Sequence, residues 1–164
     1  MNFEHISSKT NFEKYLDNLG SNIAIIWFSA TWCNPCKRIK STCEERIKEM
    51  ENKNMDIFVV DVDEDMELFG WLKTRRMLSG IPCILAYFGK EERDIWYIPD
   101  DSVSGGEKKD VNDFFDRCMV NLLSMIIYYR PTEYCSIIRS YYSSKIHDHL
   151  RYIKCANYQI FVLI

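Results

Sequence analysis

The stretch Trp32-Cys33-Asn34-Pro35-Cys36-Lys37 decides how this chain is interpreted. It follows the apolar residues 23–28 and leads into a helical pattern, so two thiols lie where a strand ends and a helix begins. A helix N-terminus has unpaired N–H groups and partial positive charge, so a thiol placed there ionises more readily. We therefore interpret Cys33 as a candidate nucleophile and Cys36 as the resolving thiol.

Length and composition favour a single globular domain. The chain has 164 residues, of which 47% are hydrophobic and 27% are charged, which is enough to bury one core. The formal net charge is −3 and no cluster of Lys and Arg stands out, so nucleic-acid binding is not expected. Residues 1–10 do not have the pattern of a signal peptide, and residues 119–129 are too short an apolar stretch to span a membrane. We expect a cytoplasmic protein with mostly free thiols.

Hydrophobic periodicity predicts strands and helices in alternation. The apolar run at residues 23–29 is typical of a central strand that is covered on both faces. Thr10 and Glu13 form a candidate capping box for the first helix. Cys43 and Cys118 fall on apolar helix faces and are expected to be buried. Strands are predicted at residues 3–6, 23–29, 56–63, 79–88 and 91–98, helices at residues 11–19, 36–50, 64–76 and 107–129, and a polar loop at residues 100–106.

The order of these elements, with the cysteine pair after the second strand and a proline at the start of the fourth, resembles the thioredoxin family. The resemblance covers residues 1–129 and is carried by residues 28–37, by Val60-Asp61-Val62-Asp63 and by Gly80-Ile81-Pro82. It implies an α/β protein with the thioredoxin fold, in which helices flank a central mixed sheet. It also implies a cis peptide bond at Pro82, beside the Cys33 sulfur in the groove that receives the substrate chain.

The function expected from this resemblance and from the thiol chemistry is a thiol-disulfide oxidoreductase that reduces protein disulfides. Cys33 attacks the substrate disulfide, Cys36 resolves the mixed disulfide, and an upstream thiol reductase or glutathione restores the pair. The Cys33-Cys36 disulfide is then the redox-active group, and no other cofactor is expected. The predicted substrate-binding residues are Trp32, Asn34, Pro35, Ile81 and Pro82.

Two alternatives concern the same residues. A redox-inert module of this fold would hold a partner chain in the groove around Trp32 and Pro82. A zinc site would use the cysteine pair but needs two further ligands, and residues 1–129 contain no second Cys-x-x-Cys and no pair of histidines at ligand spacing. We expect no metal.

Two positions behind the cysteines depart from the usual thioredoxin pattern. Trp27 stands where a buried Asp is usual, and Val59 stands where a Lys often partners that acid. A carboxylate in this place assists deprotonation of the resolving thiol, so without it we expect release of the mixed disulfide either to be slower or to use water or Asp61. With an aromatic residue at this position, the sequence resembles tryparedoxins and nucleoredoxins, which also lack the acid.

Two further positions bear on the reaction. Asn34 stands where Gly is usual and is not the His of oxidising, isomerase-like members, which favours reduction. Cys83 directly follows Pro82. It is either an accessory thiol that pairs with Cys33 or a small buried strand residue.

The end of the chain has a different composition. Residues 131–164 carry four basic and two acidic side chains, a net charge of +2, which leaves −5 for residues 1–130. The tyrosines among these basic residues are too dilute to favour a nucleic-acid surface. We expect residues 1–130 to form the thioredoxin-like domain and residues 131–164 to form a C-terminal extension that is helical or poorly ordered.

Overall fold

Strands and helices alternate along most of the described chain, which in this computed structural model comprises residues 8–50, 54–64, 66–89, 93–129, 152–155 and 158–161. The predicted strand at residues 3–6 lies outside these ranges. Two compact units, Met1–Met119 and Val120–Ile164, are described separately. The elements are α1 (Lys9–Asp17), β1 (Ile23–Ser29), α2 (Asn34–Met50), β2 (Met55–Asp61), α3 (Met66–Thr74), β3 (Cys83–Phe88), β4 (Asp101–Ser104), α4 (Lys108–Tyr129), β5 (Tyr152–Cys155) and β6 (Tyr158–Phe161).

Four strands of the first unit form a mixed sheet in the order β2-β1-β3-β4. β1 pairs in parallel with β2 and antiparallel with β3, and β3 pairs antiparallel with β4. β3 is buried along its whole length and β1 along all but its last residue, which suits apolar strands that helices cover on both faces. The predicted central position of β1 in a mixed α/β sheet is confirmed.

The predictions of a strand at residues 91–98 and a loop at residues 100–106 are wrong. Residues 93–100 form turns, and the last strand of this sheet is β4, in which Val103 lies opposite Ile84 of β3. The apolar residues before β4 have other partners, because the ring of Trp96 stacks on Trp71 with centroids 5.2 Å apart. Trp96 also meets Phe12 edge to face at 5.8 Å. Aromatic packing therefore occupies the segment that the sequence pattern assigned to the sheet.

The predicted capping box of the first helix is also wrong. α1 begins at Lys9, and the side chain of Ser8 accepts a hydrogen bond from the N–H of Asn11 at 3.2 Å. Ser8 and Thr10 are both good N-cap residues, and the earlier one is used. The burial predicted for Cys43 and Cys118 is confirmed, since both side chains are fully buried.

The second unit contains the end of α4 and an antiparallel pair of strands, β5 and β6. These two segments are strands and not helices, which suits their aromatic and branched side chains. The other residues of the predicted extension at 131–164 lie outside the described ranges, and the boundary at residue 130 stays a prediction. Within the described ranges, no helix combines the length and apolarity needed to cross a bilayer.

Candidate active site

The two cysteines of the central motif form a disulfide at the junction of β1 and α2. Cys33 directly precedes α2, Cys36 lies in its first turn, and their Cα atoms are 5.2 Å apart. Both residues are buried. The N–H of Cys36 donates to Sγ of Cys33 at 3.2 Å. In the reduced state the same N–H and the positive end of α2 would stabilise a thiolate at Cys33.

The local sequence explains this turn. The N–H of Cys33 donates to the carbonyl of Ala30 at 3.2 Å, which closes a turn after the strand, and the N–H of Lys37 donates to the carbonyl of Cys33 at 3.1 Å, which begins the helix. Pro35 lies in the first helical turn, where its missing N–H breaks no helical hydrogen bond and its fixed φ suits the helix. The motif therefore holds the two sulfur atoms together through ordinary turn and helix geometry.

Trp32 is held at the surface by an acid that the sequence did not assign to the site. The indole of Trp32 is 63% exposed, and its Nε1 donates to Oδ2 of Asp63 at 2.6 Å. Asp63 is itself positioned by Asp61, whose Oδ1 accepts from the N–H of Asp63 at 3.0 Å. The signal for this contact was present, because parallel strands β1 and β2 end at the same edge, with Ser29 opposite Asp61. Acids that follow β2 therefore reach the turn that follows β1.

The second part of the predicted groove comes from the start of β3. The Ile81–Pro82 peptide bond is cis, and the carbonyl of Pro82 accepts from the N–H of Gly105 at 3.0 Å. Because Phe28 at the end of β1 lies opposite Cys83, Pro82 lies at the same sheet edge as the cysteine turn. Among the predicted binding residues, Trp32 and Asn34 are exposed, Pro35 and Ile81 are half-buried, and Pro82 is buried.

Cys83 is a free, buried thiol at this edge. Its Sγ accepts a hydrogen bond from Oγ of Ser104 on β4 at 3.3 Å. Burial raises the pKa of the Cys83 thiol, and the hydrogen bond from Ser104 opposes part of that effect. These surroundings favour the interpretation as a small strand residue, while pairing with Cys33 stays a prediction.

A cleft of about 890 Å³ lies behind the cysteine pair. Cys36 lines it, together with Trp27, Val59 and Asp61. The register of β1 and β2 pairs Trp27 with Val59 and Ser29 with Asp61, which places these side chains on one face of the sheet. Nε1 of Trp27 is buried and has no hydrogen-bond partner in the described part of the chain. Cys36 therefore borders a space large enough for water, with the carboxylate of Asp61 at its wall.

The described residues contain no group of three or more His, Cys, Asp or Glu side chains placed to hold a metal ion.

The strand order and the cysteine pair at the end of β1 define the thioredoxin fold. Residues 4–112 match the family model described as Thioredoxin, and the chain belongs to that family.

Relatives and solved structures of this family resemble the chain over different lengths. Human thioredoxin is 37% identical over 62 residues, which are 38% of this chain and 55% of that protein. The putative thioredoxin-5 of Dictyostelium discoideum is 28% identical over 92 residues, which are 56% of this chain and 82% of that protein. The chain thus spans about half the length of the first curated relatives it matches.

Solved structures agree on the fold. The thioredoxin of Fasciola hepatica has a TM-score of 0.50 at 20% identity, covering 68% of this chain and 95% of that one. A thioredoxin of Plasmodium falciparum has a TM-score of 0.50 at 22% identity, covering 68% of this chain and 94% of that one.

Proposed function

We propose that this protein is a thiol-disulfide oxidoreductase that reduces protein disulfides through the Cys33-Cys36 couple. The observation that carries the proposal is the disulfide at the start of α2, with the N–H of Cys36 directed at Sγ of Cys33. This arrangement favours a thiolate at the residue that attacks and keeps the second thiol within bonding reach.

The reaction transfers two electrons from the dithiol to the substrate. The Cys33 thiolate attacks one sulfur of the substrate disulfide, a Cys33–substrate bond forms, and the other substrate sulfur leaves as a thiolate. Cys36 then loses its proton and attacks Sγ of Cys33, which releases the second substrate sulfur and leaves the Cys33-Cys36 disulfide. A thiol reductase or glutathione returns two electrons to the pair.

The proton of Cys36 needs an acceptor. Trp27 occupies the place where an acid is usual, so another group must accept this proton. We assign this role to Asp61, acting through water in the cleft that both residues border. Glu44 borders the same cleft, but it pairs with Lys40 at 3.8 Å. Asp61 forms no ion pair within the described residues and is half-buried, so its second oxygen is available to a water molecule.

A redox-inert binding module is the second candidate. The exposure of Trp32, a large aromatic side chain beside the groove, favours contact with a partner chain. In this case the groove would bind without exchange of electrons.

Insulin reduction in the presence of dithiothreitol distinguishes the two candidates. We expect the wild-type chain to accelerate insulin turbidity, Cys33→Ser to abolish the acceleration, and Cys36→Ser to accumulate a mixed disulfide with insulin. Cys43→Ser, which alters a buried free thiol on the same helix, is the matched control and should retain turnover. Absence of both turbidity and a trapped mixed disulfide would support the binding module.

We also propose that the protein works in a reducing compartment such as the cytoplasm. Three buried cysteines of the described chain, Cys43, Cys83 and Cys118, are free thiols, which is typical of such a compartment.

A further inference from the structure

The guanidinium of Arg38 lies against the active-site turn. Arg38 is an exposed residue in the second turn of α2, two residues after Cys36. A Cβ atom built on Gly106 would lie 2.7 Å from Nη2 of Arg38 and 3.0 Å from Cβ of Pro35. Because residue 106 has no side chain, the guanidinium can lie directly beside the backbone there. Arg38, Pro35 and Gly106 therefore meet at one point.

That point adjoins the predicted substrate groove. Pro35 is the third residue of the Cys-x-x-Cys motif, and the neighbour of Gly106, Gly105, donates its N–H to the carbonyl of Pro82 at 3.0 Å. The loop that contacts Arg38 is thus hydrogen-bonded to Pro82, the residue just before β3. A chain bound across Pro82 and the cysteine turn would pass beside a positive charge.

Among the described residues, the charge of Arg38 has no acidic partner. No carboxylate forms an ion pair with it in the described ranges, whereas its helix neighbour Lys40 pairs with Glu44. On the other side of the site, Asp63 accepts the indole N–H of Trp32, and Asp61 accepts the N–H of Asp63. Glu107, the exposed residue after Gly106, forms no ion pair with Arg38 either. The rim therefore has acids beside Trp32 and, beside Pro35 and Gly106, a guanidinium without an ion pair among the described residues.

We infer that Arg38 selects substrate disulfides with an acidic side chain close to the attacked cysteine, on the side of the groove formed by Pro35 and Gly106. The inference rests on the proposed function. An ion pair at an exposed site is weak and is screened by salt, so the preference is one of rate among substrates and not a condition for turnover.

Three peptide disulfides that differ only in one residue, Glu, Gln or Lys, two positions from the cysteine provide the test. With the full chain, kcat/KM should rank Glu above Gln above Lys, with a Glu-to-Lys ratio of about tenfold at low ionic strength. The ratio should fall toward one in 0.5 M salt. Arg38→Gln should reduce the ratio to about twofold.

Two further variants test whether the position of the Arg38 charge matters, and not only its presence. Gly106→Ala keeps the charge of Arg38 but displaces its guanidinium, so it should also lower the ratio. Lys14→Gln removes an exposed cation of α1 and is the matched control, which should keep the wild-type ratio.

The possible outcomes separate a failure of this inference from a failure of the proposed oxidoreductase function. Turnover of all three peptides with the same ratio in wild type and Arg38→Gln would overturn the inference alone. An equal loss of preference in Lys14→Gln would also overturn it, because net charge and not the position of Arg38 would then set the ratio. No turnover of any peptide by the wild type would refute the proposed function and this inference together.

Discussion

The thiols of the reduced protein should differ in reactivity by at least two orders of magnitude. Burial raises the pKa of Cys43 to about 12, so its thiolate fraction at pH 7 is about 1 in 100,000. Burial also raises the pKa of Cys83 above its ordinary value of 9.0, so its thiolate fraction at pH 7 is below about 1 in 100. Cys33 instead receives an N–H hydrogen bond at the positive end of α2.

Pulse alkylation with mass spectrometry measures this difference. The protein is reduced, freed of reductant, and exposed to light iodoacetamide at pH 7 for increasing times. It is then quenched, denatured and labelled with heavy iodoacetamide, and each cysteine peptide is quantified separately. We expect light label on Cys33 at least about 100-fold faster than on Cys83 or Cys43, because only thiolates react.

Cys83→Ala is the control, and it should leave the labelling rate of Cys33 unchanged. Labelling of Cys83 within tenfold of Cys33 would refute the reasoning from burial. A cross-linked Cys33-Cys83 peptide after mild oxidation would do the same, and would identify Cys83 as an accessory thiol.

Three other predictions concern contacts of the site and the core. Asp63→Asn should weaken the hydrogen bond from Trp32, shift its indole N–H resonance upfield and lower kcat/KM several-fold; an unmoved resonance would contradict the contact. Arg46→Met, at a largely buried side chain that pairs with two acids, should lower the free energy of unfolding in urea by about 1–3 kcal/mol, whereas Lys40→Met, at an exposed pair, should change it by less than about 0.5 kcal/mol. Equal effects of the two would argue against a role for burial. The raised pKa of Cys43 means that the folded state holds its proton longer than the unfolded state, so stability should fall as pH rises from about 9 to about 12. Cys43→Ala should make that fall less steep, and an unchanged slope would contradict the assignment.

Much of the site could be predicted from short stretches of sequence. The apolar run at 23–29 is read as a central strand because nothing in it alternates, and Cys-Asn-Pro-Cys is read as a helix start because proline is favoured in a first helical turn. Both features depend on neighbours along the chain. They placed the cysteine pair at the end of β1, and the apolar face of the helix that follows predicted that Cys43 is buried.

Tertiary structure decided the contacts between residues that are distant in sequence. The last strand of the sheet is β4 and not residues 91–98, since β3 pairs with β4 while Trp96 packs on Trp71. The partner of Trp32 is an acid 31 residues away, brought to it by the parallel pairing of β1 and β2.

The place of Arg38 beside Gly106 likewise follows from the way a distant loop returns to α2. Strand preference measures how well a side chain fits its neighbours across the sheet, and those neighbours are set by register and packing. The sequence by itself therefore determined where the cysteine pair lies, and only the folded chain decided which side chains surround it.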